Sequence, residues 1–254
     1  MEKLFLKNVI KVGNSAGVLV PKEWLDGKAK VELVEEPINI QKDVIEILHN
    51  FLDDVIAIYL VGSYARGEQD EKSDIDILVI SNEKKEEIHS GKYNISICPL
   101  KNIKKTLVKN PLMILPRIKE AKPIMNKNFL EILQYPKPTK KQFNEFFKSS
   151  KRILKINQEL IQEGKIDGNI IYSLFLRLRG FFLIKCLLNV KDYSNNNFKK
   201  YLISKNINYK EMHKIYSYIK LNKIYKKEIL PEEVNKLLFL LELEIKKWQT
   251  EKRE

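Results

Sequence analysis

The sequence predicts an α+β protein with three parts: a small mixed sheet, a short β-hairpin element ahead of it, and a C-terminal α-helical bundle. Three observations carry this expectation. Two short blocks rich in β-branched residues, "VIAIYLV" at 55–61 and "IDILVI" at 75–80, are bounded by turn and charged residues, the pattern of buried strands. Residues 1–36 alternate apolar and polar side chains around a Gly-Asn-Ser-Ala-Gly turn. Beyond residue 140, nearly every stretch spaces its apolar residues at helical intervals, with Gly and Pro as punctuation.

In chain order, the first 36 residues read as a hairpin, a short helix or turn at residues 21–25, and a second alternating strand "KAKVELV". After Pro37, "NIQKDVIEILHNFLDD" spaces Val44, Ile47, Leu48, Phe51 and Leu52 as one face of a helix that leads into the strand at 55–61. His49 on this helix reads as a partly exposed helix residue. A third strand is expected at 93–100, then a helix, an extended piece and a second helix across "NPLMILPRIKEAKPIMNKNFLEILQ". "YPKPTKK" at 135–141, with two prolines and three lysines, is the best linker. The resulting divisions are 1–36, 37–135 and 136–254. In the last of these, Gly164 should stop the first long helix, and "DGNIIYSLFLRLRGFFLIKCLLN" is apolar around much of its circumference, as the central helix of a bundle is.

Composition narrows the class of protein. A chain of 254 residues that is 44% hydrophobic can bury a real core, which excludes disorder as the default. The two cysteines, Cys98 and Cys186, lack any zinc-binding spacing, which fits a reducing compartment. The N-terminal stretch has no apolar core long enough for a signal peptide. The most apolar later run is interrupted by Arg177, Arg179 and Lys185, which argues against a membrane span. A cytoplasmic protein without a membrane partner is expected. Net charge is +13, concentrated from residue 140 onward, where 25 Lys and Arg stand against 13 Asp and Glu. Such a half can attract RNA or nucleotides. However, the lysines are scattered and few aromatics interleave with them, so a solvated helical surface is the stronger reading.

The stretch that carries chemistry is "GSYARGEQDEKSDIDILVI" at 62–80. Gly62 and Ser63 end one strand, and Asp74 and Asp76 open the next. Residues i and i+2 of a strand point to the same face, so the two carboxylates are expected side by side. Adjacent carboxylates repel unless a cation lies between them, and Mg²⁺ is commonly held by one or two carboxylates with substrate phosphate oxygens. Gly62 leaves room for a phosphate, and Ser63 offers a hydroxyl and an N–H at a helix start. The candidate site is therefore one for a metal-bound nucleoside triphosphate (NTP).

These residues resemble the signature of the DNA polymerase beta-like nucleotidyltransferase superfamily, Gly-Ser, ten residues, Asp-x-Asp. The resemblance is nearest to the kanamycin-type and minimal nucleotidyltransferases, which often carry the Ala-Arg-Gly seen at 65–67. It implies a mixed-sheet core that moves a nucleoside monophosphate from an NTP to a hydroxyl and releases pyrophosphate, with Mg²⁺ or Mn²⁺. Asp74 and Asp76 would hold the metal, Gly62 and Ser63 the β- and γ-phosphates, and Arg66 the leaving pyrophosphate or, equally, an ion pair with Glu68 or Asp70. The acceptor is open among a small molecule, a protein hydroxyl and an RNA 3′ end.

Many members carry a third carboxylate on the next strand, but this chain has Asn94 and Ser96 there. Either a C-terminal helix supplies it, with Glu145, Glu159 and Glu163 as candidates, or the core binds a nucleotide without transferring it efficiently. Arg177 and Arg179 either line a pocket facing the nucleotide or pair with carboxylates of the bundle. "GNSAGVLVPKEW" resembles the AbrB-like swapped hairpins, which implies a homodimer through residues 1–36. That segment balances six basic against six acidic residues, which gives DNA binding no support. The bundle broadly resembles HEPN-like partners of minimal nucleotidyltransferases, without the Arg–His pair of their ribonuclease version. The competing class is an antitoxin-like or DNA-associated regulatory protein whose core only binds a nucleotide.

Overall fold

A computed structural model describes residues 5–34, 37–71, 73–133, 135, 137–225 and 229–250. Contacts group the chain into two units, 1–43 and 44–254. The sequence divisions expected near 36 and 136 fall close to that boundary and inside the second unit, respectively.

In the first unit, β1 (Ile10–Val12) and β2 (Ser15–Gly17) form an antiparallel hairpin with Val12 opposite Ser15. A 3₁₀ turn follows at Lys22–Trp24, as the sequence led one to expect. The second alternating strand, "KAKVELV", is not formed. A strand must satisfy its backbone N–H and C=O groups against a neighbour. No described segment pairs with residues 28–34, and Val31, Leu33 and Val34 stay exposed.

The helix α1 (Ile40–Ile47) leads through a 3₁₀ segment, His49–Asp54, into the sheet. The sheet has the order β5-β6-β4-β3-β7. Its strands are β3 (Val55–Val61), β4 (Ile75–Ser81), β5 (Glu86–Ser90), β6 (Tyr93–Pro99) and β7 (Lys122–Met125). β4 and β6 run parallel and the other pairs antiparallel, so the sheet is mixed. β5 was not legible in the sequence. It is a charged, mostly exposed edge, where apolar alternation is absent and charge deters pairing with other chains.

The two motif strands are buried on both faces, which explains their unbroken apolar runs. Ala57, Tyr59, Val61, Leu78 and Ile80 join a core with α3 (Leu100–Lys109) and α4 (Leu115–Glu120). A short helix α5 (Phe129–Ile132) precedes the bundle. The same core continues into α6 (Asn144–Gln162), α7 (Gly168–Leu188), α8 (Asn195–Ile203), α9 (Tyr209–Lys220) and α10 (Pro231–Thr250). α7 buries residues around most of its circumference, and Asp167 caps it by accepting the Asn169 and Ile170 N–H groups at 2.9 and 3.2 Å. The expected α+β architecture holds. No helix among the described residues is long and apolar enough to cross a membrane.

Candidate functional site

The site forms where β3 ends. Val61 is paired with Asp76, and the chain then turns at Gly62, whose φ of +73° is a left-handed conformation that favours glycine. The turn opens α2 (Gly62–Arg66), which Gly67 closes with φ +70° while the Glu68 N–H reaches Ser63 O at 2.9 Å. A Cβ on Gly62 would lie 2.4 Å from Asp76 Oδ2, so the backbone turn is pressed against that carboxylate. Ser63 is half-buried in the same short helix. Asp74 is exposed just before β4, and Asp76 is the half-buried second residue of the strand. The structure thus brings Gly62, Ser63 and Asp76 together, with Asp74 on the rim.

Burial pushes the Asp76 carboxyl up, opposed by Arg117 on α4, and the negative charge of Asp74 pushes it up further. Lys220 at the end of α9 and a hydrogen bond from Asn94 oppose this without cancelling it. Asn94 is the parallel-strand neighbour of Asp76, so the third-carboxylate position holds an amide, with His89 Nδ1 2.7 Å from its Oδ1. The C-terminal candidates do not make up for it. Glu145, Glu159 and Glu163 are exposed and paired locally with Lys148, Lys155 and Lys165 at 3.0, 3.7 and 2.8 Å. Among the described residues, no group of three or more His, Cys, Asp or Glu could hold a metal. The expectation of a third carboxylate from these helices is corrected on that ground: helical periodicity turns all three to solvent.

Arg66 is gripped by two carboxylates. Its Nε donates to Glu68 at 2.8 Å, and another guanidinium nitrogen pairs with Glu120 Oε2. Glu120, at the end of α4, also accepts the Gly62 N–H through Oε1 at 2.7 Å. The Arg66 guanidinium lies 5.5 Å from the centre of the Tyr193 ring, as does that of Arg179, which donates to the Tyr193 hydroxyl at 2.9 Å. Arg177 diverges from this cluster because i and i+2 on a helix point about 200° apart. It donates to Ser149 at 2.9 Å and lies over Phe146. Neither arginine has a carboxylate within ion-pair distance among the described residues, contrary to one of the two expectations for them. The sequence did not single out Glu120, Tyr193, Arg117 or Lys220, since each reaches the motif from a remote element.

Glu68 ties the motif loop to the bundle by accepting the Asn195 and Asn196 N–H groups at 3.1 and 3.4 Å, at the start of α8. Burial alone would raise its pKa, but the Arg66 bond and these two amides outweigh that and hold it below the usual range. A carboxylate with a depressed folded pKa adds stability above its unfolded value, and that contribution is lost as pH falls through the folded one. Glu68→Gln is therefore expected to cost about 1–2 kcal/mol at pH 7, after discounting for partial exposure. Below the ordinary Glu value of about 4.3 the deficit should shrink. Urea melts at pH 7, 5 and 3.5 read it out, and a deficit independent of pH would contradict this account.

The chemistry of the donor set suits Mg²⁺ or Mn²⁺: Asp74 and Asp76 offer hard carboxylate oxygens beside the Gly62 turn. A nucleotidyltransferase domain model matches residues 42–157, spanning α1, the sheet, the Gly-Ser turn and both aspartates. A protein of Methanocaldococcus jannaschii, provisionally described as a protein adenylyltransferase, is 40% identical over 81 residues, 28% of this chain and 79% of the relative. The chain belongs to the nucleotidyltransferase family. Among solved structures, spectinomycin adenyltransferase AAD(9) from Enterococcus faecialis aligns over 81% of this chain and 98% of its own, at 16% identity and a TM-score of 0.48. A nucleotidyltransferase-like protein from Exiguobacterium sibiricum aligns over 82% and 75%, at 13% identity and a TM-score of 0.37. The family match begins at residue 42, beyond residues 1–36, and none of these comparisons shows the AbrB-like resemblance expected for that segment.

Proposed function

We propose that this nucleotidyltransferase moves a nucleoside monophosphate from an NTP to a hydroxyl acceptor in a metal-dependent reaction. The acceptor oxygen attacks the α-phosphorus, the bond to the β-phosphate oxygen breaks, pyrophosphate leaves, and the acceptor proton is released. The observation that carries this reading is the close contact of the Gly62 turn with Asp76, which sets the Gly-Ser backbone directly against the carboxylate proposed to hold the metal. Asp74 and Asp76 would hold Mg²⁺ or Mn²⁺, which when bound neutralises triphosphate charge and lowers the acceptor pKa. Gly62 N–H and the Ser63 hydroxyl would orient the β- and γ-phosphates. An incoming phosphate would take the place of the Glu120 carboxylate on the Gly62 N–H, and the freed Arg66 would then face the leaving pyrophosphate. Catalysis on this scheme is positioning and charge neutralisation, with no covalent enzyme intermediate.

The name of the Methanocaldococcus relative favours ATP as donor and a protein hydroxyl as acceptor. The test is label transfer and pyrophosphate release from each of the four α-labelled NTPs, with Mg²⁺ or Mn²⁺, in the presence of cell lysate. A labelled protein band dependent on ATP supports the reading. Metal-dependent nucleotide binding without transfer would instead favour the regulatory alternative, for which the amide at position 94 speaks.

That amide gives a direct prediction. Asn94→Asp adds a carboxylate on the strand position beside Asp76 while keeping an acceptor for His89. It is expected to tighten Mn²⁺ binding by about tenfold, on the order of 1–2 kcal/mol for one added charged ligand. Titration calorimetry measures this, and unchanged affinity would mean position 94 lies outside the metal's reach.

Residues 1–36 are assigned to homodimer formation, supported by the exposed Phe5, Leu6, Val9, Val12 and Leu19 around the hairpin and by Val31, Leu33 and Val34 beyond it. The parts on either side of position 136 are read as the catalytic core and a helical domain, and the cytoplasm as the compartment. Removing residues 1–36 should convert a dimer to a monomer in analytical ultracentrifugation. An unchanged sedimentation coefficient per mass would remove the assignment.

A further inference from the structure

A cavity opens beside the sheet, away from the Gly-Ser turn. It measures about 540 Å³ and is lined by β6, α3 and the chain leading into α4. Its charged lining is all of one sign: Lys85, Lys105, Lys109 and Arg117, with no Asp or Glu among the lining residues. None of these four cations has a described carboxylate within ion-pair distance. Arg117, the least exposed of them, spends one guanidinium nitrogen on the Ser96 hydroxyl at 3.1 Å, and Ser96 in turn donates to Glu87 at 2.9 Å. Apolar wall is supplied by Ile103, Met113 and Ile114. Four cations around a concavity with an apolar side and no carboxylate in its wall, Glu87 being held behind Ser96, is the arrangement of a site completed by an anion. The volume lies within the range for small-molecule sites, which favours a compact ligand over a polymer running across the surface.

The cavity is separate from the nucleotide site. Its lining reaches β6 at Cys98 and Pro99, four residues beyond Asn94, the neighbour of Asp76. At about 3.3 Å per strand residue this is roughly 13 Å. Arg117 is the element common to both, since it lines the cavity and its charge acts on Asp76.

We propose that this cavity binds a phosphate-bearing small molecule, with Lys85, Lys105, Lys109 and Arg117 holding the phosphoryl group and Ile103, Met113 and Ile114 receiving an apolar part. The assignment does not depend on the nucleotidyl-transfer reading and has its own reporter. Cys98 lines the cavity and is partly accessible, whereas the other cysteine, Cys186, is buried in α7.

The experiment follows alkylation of Cys98 by uncharged iodoacetamide, read by peptide mass spectrometry, in the full chain at fixed ionic strength with EDTA. Inorganic pyrophosphate is the probe. It is expected to slow Cys98 alkylation at least threefold in the wild type and at least as strongly in Asp74→Ala/Asp76→Ala, since those carboxylates hold none of the probe and their loss removes negative charge that acts on Arg117. Protection should vanish in Lys105→Glu/Lys109→Glu, two exposed positions on α3 whose change circular dichroism can show leaves the fold intact. If the fold fails, Lys105→Ala/Lys109→Ala is the substitute. Three results would overturn the proposal: no protection in the wild type, protection that survives the lysine changes, or protection lost in the aspartate variant. Protection by single-stranded RNA but not by pyrophosphate would also overturn it, in favour of a nucleic-acid surface. A failure here leaves the label-transfer experiment unaffected, and the reverse also holds.

Discussion

Replacing Asp74 and Asp76 together by alanine is expected to lower nucleotidyl transfer about a thousandfold or more, with the folded structure retained. The magnitude follows from the proposed role. The carboxylates would hold the cation that neutralises charge on the triphosphate, worth several kcal/mol at the transition state, and each 1.4 kcal/mol is a factor of ten in rate. Retention of the fold follows from exposure: Asp74 lies on the rim and Asp76 is only half-buried, held above its ordinary pKa by burial and by Asp74. Removing both also removes that repulsion. Thermal melts without metal should therefore show the double variant at least as stable as the parent. Transfer persisting within tenfold of wild type would refute the metal-site assignment, and loss of activity together with loss of folding would leave Asp76→Asn as the decisive variant, since the amide keeps the side-chain volume.

Gly62→Ala should damage activity by a smaller factor and, unlike the aspartate changes, also damage stability. The new Cβ would sit 2.4 Å from Asp76 Oδ2 and 3.2 Å from its Cβ, on a backbone with φ +73° that L side chains rarely adopt. Either β3 and β4 separate at Val61 and Asp76, or the Asp76 carboxylate swings away from the turn. A forced left-handed conformation costs of order 1–3 kcal/mol. Displacing a positioned metal ligand by about 1 Å costs roughly a hundredfold in rate. The expected result is a fall of about 1–3 kcal/mol in urea unfolding together with about a hundredfold loss of transfer, divided between a weaker Mn²⁺ affinity and a lower kcat. Gly67→Ala is the control. It shares a positive φ, +70°, but a Cβ there meets nothing within 4 Å, so it should lose stability through backbone strain and keep most of its transfer.

Much of the site was legible because its parts are local in sequence. The strands bracketing the motif were readable from β-branched runs, since strands buried on both faces must be apolar throughout. The turn was readable from the Gly-Ser pair that ends the first strand, but the sequence pointed to room for a phosphate at Gly62, whereas in the structure a side chain there would collide with the Asp76 carboxylate. The five bundle helices were readable from apolar spacing and stops such as Gly164, and each was found. Less visible was anything that depended on a partner. β5 exists because β6 offers it a ladder of hydrogen bonds, and its charged sequence "EEIHS" carries no apolar period of its own. The strand expected at 28–34 failed for the converse reason, a good alternating pattern with no neighbour in the described chain.

By itself the sequence determined the strand–turn–strand unit that sets Gly62, Ser63, Asp74 and Asp76 near one another, because that geometry is encoded within about fifteen residues and needs only backbone chirality, the strand period of two and the permissiveness of glycine. Only the tertiary structure decided what surrounds them. Glu120 arrives at the Gly62 N–H from α4, Tyr193 stands beside Arg66 from the segment before α8, Asn94 comes alongside Asp76 from β6, and Lys220 extends its field from α9. The physical reason is range. Hydrogen bonds and steric contact act over a few ångströms, and a chain can bring residues 58 or 127 positions apart within that distance only by packing its elements into a shared core.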